Sequence, residues 1–387
     1  MRRIYLDHGA TTPLDPRVLD EMLPYLREVF GNPSSAHAFG REAREGVEKA
    51  RIRVARALNA DPREIVFTSG GSEANYLAVR GAAYANRDRG NHIVASRIEH
   101  HSVLDTCLDL AEHGYEVSWV PVNEDGIVDP RKVAALLRPT TILVTVMLAN
   151  NEVGTIQPVR EIAALARERG VLCHTDAVQG FGKMAVDVQN LGVDMLSISA
   201  HKIYGPKGAG ALYLRAGTRW QPLNHGGGQE ARRRPGTENV PGIVGLGAAA
   251  ALAVAELEHE TAQVRVLRDR LVSEVLRRIP GARLSGHPVR RVPHNAHFCF
   301  EGVAGGALLA GLDAAGVAVS AASACAAGSG TPSHVLQAMG FADELAAGAL
   351  RVTLGRGNTA ADVDLFVETL ERLVEKARQK APSSGRN

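Results

Sequence analysis

Ile65-Val66-Phe67-Thr68-Ser69-Gly70-Gly71-Ser72-Glu73 reads as a short apolar strand, a glycine turn and the opening of a helix that runs to about Ala83. β-Branched and aromatic residues favour the strand, and small residues at the turn leave backbone N–H groups free to face an anion at the helix N-terminus. The unit then repeats. His92 to Ala95, Val117 to Val120, Thr141 to Met147, Val171 to Thr175, Met195 to Ser199 and Ala211 to Leu214 are further strand-like runs separated by amphipathic stretches. Runs that are apolar throughout belong to a mostly parallel sheet covered by helices on both faces. Residues 60 to 215 therefore predict an α/β fold.

Past Gly226-Gly227-Gly228 the chain is loop-like, and an Ala-rich helix is expected from Gly242 to about Leu257. Beyond residue 260 the rhythm changes. A long helix (Val264 to Arg278) precedes strands at His297 to Phe300 and Val317 to Val319, with a helix near Leu308 between them. Thr331-Pro332 reads as the start of another helix, and Leu350 to Leu354 as a last strand. Thr359-Ala360-Ala361-Asp362 resembles a capping box with Asp in place of Glu. The expectation is a large α/β domain over residues 16–260 and a smaller α+β domain over 261–387, joined by an N-terminal segment, 1–15. Only the residues from Pro382 onward look disordered.

Bulk properties narrow the function. The 387 residues include 45% apolar and 22% charged side chains, and 44 basic against 42 acidic residues leave a formal charge of +2. That balance offers no footprint for nucleic acid or an anionic membrane. Arg232-Arg233-Arg234 is the one dense basic spot, either a solvated turn or an anion site. No stretch reaches the roughly 18 consecutive apolar residues of a membrane span, and the run from Met1 into a strand leaves no room for a signal peptide. The four cysteines are too few and scattered for a disulfide framework, so a cytoplasmic location is expected.

Three strand ends carry chemistry. Lys202 follows the strand Met195 to Ser199 in Ser199-Ala200-His201-Lys202, at the edge where open α/β sheets bind ligands. A lone lysine there is more often solvent-facing, but one held among hydrogen-bonding neighbours can have its pKa lowered and form a Schiff base with a carbonyl. The Thr68 to Glu73 turn suits a single phosphate. Asp176, in His174-Thr175-Asp176-Ala177-Val178-Gln179, could simply cap the next helix, or could supply the carboxylate that pyridoxal phosphate (PLP) needs beside its ring nitrogen. Lysine, phosphate cradle and strand-end Asp together match that one cofactor.

With these residues in view, the chain resembles the cysteine desulfurases, the NifS/IscS type within the class V aminotransferase group of fold type I PLP enzymes. The motifs span nearly the whole sequence: Tyr5-Leu6-Asp7 with Ala10 to Pro13, Asn32 to Ser35, Thr68 to Glu73, Glu99-His100, Asn150 to Gly154, Thr175 to Gln179, Ser199 to Gly210, Gly226 to Glu230, Gly236 to Asn239, Ser323-Ala324-Cys325 and Arg351 to Arg356. The resemblance implies that Lys202 carries PLP and moves the substrate's Cα proton. Gly71, Ser72, Ser199 and His201 hold the phosphate, Asp176 pairs with the ring nitrogen, Gln179 contacts the ring hydroxyl, and His100 stacks on the ring and is, with Lys202 and Cys325, a catalytic candidate for moving protons. Asn151, which also binds the cofactor, and Arg351 face the substrate carboxylate, and Thr237 reaches the phosphate of the partner subunit's cofactor in a homodimer.

Cys325 separates a desulfurase from other class V enzymes. It lies in Ala321 to Gly330, a run of small residues that leaves its thiolate free to reach a substrate, with the longer spacing of the NifS/IscS subgroup. Cys107, Cys173 and Cys299, on a helix and inside apolar strands, read as buried packing residues. The implied reaction turns L-cysteine into L-alanine and a Cys325 persulfide, which passes to a sulfur acceptor or iron–sulfur scaffold protein. Departures from the family wording, such as His8-Gly9 and Ala321-Ala322-Ser323, bear on the pathway and not on the chemistry. Alternatives are a selenocysteine lyase, another class V enzyme such as an aminotransferase, and a catalytically silent scaffold. His100-His101, His174 and the His294/His297 pair lack the partners of a metal set, so no resident metal is expected, a transient iron–sulfur contact at Cys325 aside.

Overall fold

The computed structural model describes residues 3–321 and 333–380. Cys325, the Thr331-Pro332 helix start and the residues from Pro382 lie outside the described residues. The N-terminal segment forms β1 (Ile4–Tyr5). Seven strands then make one sheet: β2 (Ile65–Thr68), β3 (His92–Ser96), β4 (Glu116–Val120), β5 (Thr141–Thr145), β6 (Leu172–Asp176), β7 (Met195–Ser199) and β8 (Gly210–Leu214). Their order is β2-β8-β7-β6-β5-β3-β4, and all pairs are parallel except those of β8, which runs against both neighbours.

Alternation along each strand sends side chains to opposite faces. Phe67, Val94, Val144 and Leu196 pack on one face with Val47 and Val54 of the Ala38–Leu58 helix and Ile243 of the Val240–Ala255 helix. Val66, Ile93, Leu143 and Met195 pack on the other with Leu77 of the Gly71–Ala85 helix and Val103 and Leu110 of the His101–Glu112 helix. Both faces are covered, which is why the strands read as unbroken apolar runs.

The later residues form a second, antiparallel sheet, β9 (Ala282–Leu284), β10 (Asn295–Phe300) and β12 (Ala349–Thr353), with β11 (Val317–Ala318) pairing in parallel with β1. Its core joins Phe298, Phe300, Leu350 and Phe366 to Ile4 and Leu6 from the N-terminal segment. The capping box at Thr359 is present: Thr359 N–H donates to Asp362 Oδ2 (2.8 Å) and Asp362 N–H to Thr359 Oγ1 (3.3 Å).

Two expectations change. The helix expected from Val264 begins at Leu257, directly after a break at Glu256 with a bend of 72°. At this corner Arg17 and Arg356 both pair with the Glu256 carboxylate. The helix expected from Thr331 occupies His334–Ala338 and is capped by Ser333, whose hydroxyl accepts from Val335 and Leu336 N–H. Among the described residues no single helix is long and apolar enough to cross a membrane.

Candidate active site

The C-terminal ends of β2, β3, β5, β6 and β7 meet at one sheet edge and open into a cavity of about 290 Å³. Its lining brings together Lys202, Asp176, Gln179, Ser199, His201, Gly71, Ser72, His100, Asn151 and Arg351. Thr237 is exposed and does not line the cavity of its own chain.

Lys202 ends a single 3-10 turn that follows β7. Its Nζ donates to the carbonyls of Gly9 (2.6 Å) and Ala10 (2.7 Å), so the N-terminal segment supplies its anchor. Burial, and then the nearby Arg351 guanidinium, lower its pKa to about 8, against smaller opposing effects of Asp7 and Asp176. Desolvation disfavours the ammonium, and a second cation adds to that. Gln179 Nε2 also donates to the Gly9 carbonyl, at 2.9 Å.

Asp176, the last residue of β6, divides its two oxygens. Oδ1 accepts from Val178 N–H (2.9 Å), the local turn that a capping Asp would make. Oδ2 accepts from Asn75 Nδ2 at 2.7 Å. Asn75 stands on the Gly71–Ala85 helix and also donates to Ser102 Oγ (2.9 Å), which lies 2.8 Å from His100 Nδ1. His100 is itself the N-cap of the His101–Glu112 helix.

The Gly71–Ala85 helix starts without a side-chain cap, so its first N–H groups are open toward the cavity. A Cβ on Gly71 would stand 2.6 Å from Val178 Cγ2, which is why only glycine lets this helix end lie against the Asp176 turn. Ser199 Oγ, at the same corner, is buried without a hydrogen-bond partner. His201 Nδ1 is 3.1 Å from Thr11 Oγ1, and burial followed by Lys202 lowers its pKa to about 4.

Arg351, on β12, is buried. It donates from Nη1 to the Asn151 carbonyl (2.8 Å) and from Nη2 to Asp7 Oδ1 (3.0 Å), while its Nε has no partner. Arg351 stands in the middle of β12, and its salt bridge is a buried one at the cavity wall. Glu152, beside Asn151, has its carboxyl pushed up to about 7 by burial and accepts a short hydrogen bond from Ser333.

Of the basic run, Arg234 pairs with Glu73 (2.8 Å) and Arg233 donates to the Arg63 carbonyl (2.6 Å), so much of it ties the loop down within its own chain. His174 is a core histidine between Thr145 and Ser197 hydroxyls. Asn75, Ser102, Met147, Glu152 and His334 also line the cavity, and the sequence reading missed their part in it. Asn75 had one available signal: it follows Gly71 by four residues and so shares its helix face.

The aminotransferase class-V family model matches residues 4–366. Among curated relatives, the cysteine desulfurase IscS of Dictyoglomus turgidum is 49% identical over 98% of this chain and 97% of its own, and that of Methanosarcina thermophila 48% identical over 98% and 94%. Among solved structures, a NifS-like protein superposes with a TM-score of 0.91 at 40% identity, covering 97% of this chain and all of the other. SspA in complex with cysteine gives 0.81 at 36% identity, covering 92% of this chain and 100% of SspA. The chain belongs to the aminotransferase class-V family, on the branch that holds the cysteine desulfurases.

Proposed function

We infer that this protein is a PLP-dependent cysteine desulfurase that converts L-cysteine to L-alanine and receives the sulfur on Cys325 as a persulfide. The observation that carries this reading is one cavity holding Lys202, Asp176, Ser199 and Arg351 together. These residues fit the cofactor. The orphaned Ser199 hydroxyl and the uncapped helix start at Gly71 are unspent donors of the kind a phosphate takes up, with Ser72 and His201 beside them. Asp176 would face the ring nitrogen, Gln179 the ring hydroxyl, and Lys202 the aldehyde carbon. When bound, the pyridoxal ring supplies an electron sink next to the substrate Cα.

The chain's own groups do the rest. An amine lowered to about 8 loses its proton readily near neutral pH, so Lys202 can attach the cofactor and then hold and return a proton at Cα. Arg351 keeps its guanidinium plane fixed through Asp7 and Asn151, leaving further N–H groups for the substrate carboxylate. Sulfur then moves from the substrate to the Cys325 thiol, giving alanine and Cys–S–SH, so atoms and electrons balance without an outside oxidant. The persulfide passes to an acceptor or iron–sulfur scaffold protein. A homodimer sharing Thr237 between subunits, a cytoplasmic setting and a division of the chain at residues 260 and 261 complete the proposal.

The test is an assay of alanine and sulfide from cysteine, with and without reductant. Equal alanine and reductant-dependent sulfide are expected. A keto acid in place of alanine would identify an aminotransferase and overturn the reading.

A further inference from the structure

We propose that Asn75 and Ser102 are positioning residues that bridge Asp176 to His100 and fix the His100 ring in its neutral Nε2–H form, so that it meets the cavity as a hydrogen-bond donor and not as a base. The proposal deepens the reading of the site given above.

Every direction in the bridge follows from which groups can donate. Asp176 Oδ2 sits 2.7 Å from the Asn75 amide, and a carboxylate there needs Nδ2, not Oδ1, turned toward it. The second N–H of the same Nδ2 points to Ser102 Oγ at 2.9 Å. Asn75 Oδ1 is buried without a partner, so the amide is held by its donors alone. Ser102 Oγ, having accepted from Asn75, has its own proton to give to His100 Nδ1 at 2.8 Å.

The decisive contact is the backbone. Ser102 N–H points at His100 Nδ1 at 3.1 Å, as an N-cap bond of the His101–Glu112 helix. An N–H can only donate, so Nδ1 carries no proton. In the neutral ring the proton is therefore on Nε2. Charging the ring would place an N–H against two donors and release an N–H at the helix start. The charged groups around the ring are Asp176 and Lys202 from the sheet edge and His101 and Asp105 from its own helix, with His334 from the next segment. Burial is the largest influence and disfavours the charged ring, as the bonding does.

The bridge also assigns the proton work. A ring with Nδ1 committed cannot accept at Nε2, so Cα proton movement falls to Lys202.

Ring ¹⁵N spectra of histidine-labelled protein, with and without cofactor, read this directly. His100 is identified by the signal lost in His100→Gln. The expected result is an Nε2–H, Nδ1-bare ring that does not titrate near the ordinary value of about 6.5. Ser102→Pro removes both donors at a position in the first helical turn where proline is tolerated. There the ring should titrate toward 6.5 and show the Nδ1–H form, while Ser102→Thr should restore the parent spectrum. Asn75→Leu should lower kcat about 10-fold with little change in KM for cysteine, as loss of an orienting partner does. An Nδ1–H ring or an ordinary titration in the unsubstituted protein overturns the proposal, as does a Ser102→Pro ring unchanged from the parent. Should Ser102→Pro fail to fold, the parent spectra decide alone. Because the spectra are also read without cofactor, a failed desulfurase assay leaves this result standing.

Discussion

The guanidinium of Arg351 meets the carboxylate of Asp7 at 3.0 Å across 344 residues of chain. The Arg351 side chain is 4% exposed and that of Asp7 17%, so neither charge is well solvated. Removing one partner of such a pair leaves an uncompensated buried charge. Asp7→Asn should therefore cost about 3 kcal/mol in urea unfolding. It should also weaken cysteine binding, since Arg351 loses one of the two contacts that fix its plane. An unchanged urea midpoint would mean that Asp7 does not anchor Arg351.

Lys202 should be the residue that takes up PLP. Lys202→Ala should lose the visible absorption of the bound cofactor, and borohydride reduction with peptide mapping should mark Lys202. Lys183 is buried against Glu260 and Tyr204, and Lys207 lines a separate pocket, so label on either would refute the assignment.

The pH dependence of capture has a definite sign. Above about 8 the Lys202 amine is neutral in the folded, cofactor-free protein, whereas an unfolded lysine stays charged to near 10.5. Between these values the unfolded chain binds more protons, so the Lys202 contribution to stability rises with pH across that window and is a penalty below it. The rate of PLP capture should rise with pH and reach half its maximum near pH 8. A flat rate between pH 6 and about 9 would contradict the lowered amine.

Cys325→Ser should keep cofactor binding and the spectral response to cysteine but form neither sulfide nor persulfide. The other three thiols cannot substitute. Cys107, Cys173 and Cys299 are buried, and burial raises the pKa of each, that of Cys299 to about 11. Alkylation should accordingly mark Cys325 first. Persulfide found on any of the other three would redirect the chemistry.

Thr237 is exposed and absent from its own chain's cavity, which suits a role in a second subunit. Mixed dimers of Lys202→Ala and Thr237→Ala chains should regain part of the cofactor occupancy and activity, because one of the two sites is then intact. If Thr237 serves its own subunit, each site keeps a defect and mixing restores nothing. A protein that remains monomeric at working concentration also defeats the shared site.

The strand-end residues were legible because an α/β sheet delivers its ligands at one edge, and Lys202, Asp176 and Ser199 each follow an apolar run. Gly71 was legible for the same reason, as the turn before a helix. Asn75 carried only its four-residue spacing from Gly71, and a polar residue inside a helix otherwise looks like any solvated position until its neighbours in space are known. The Gly9 and Ala10 carbonyls were not legible, because side-chain reading is blind to backbone acceptors. Arg351 announced a fork for an anion, but its partner Asp7 is set only by tertiary packing. The break at Glu256 escaped notice too, for its carboxylate pairs with Arg17 and Arg356, both remote in sequence.

The N-terminal segment threads between the two sheets, with Leu6 in the later core, Gly9 N–H on Thr353 Oγ1 (2.7 Å) and two carbonyls on Lys202. During synthesis Gly9 is made 344 residues ahead of its partner Thr353. Contacts so distant in sequence form only after the intervening chain has been closed into a loop. The central sheet takes all its strands from residues 65–214, yet the floor beneath Lys202 waits for residue 353. Capture of the cofactor in this geometry accordingly waits for β12, and the finished site certifies that the chain has been made through Thr353.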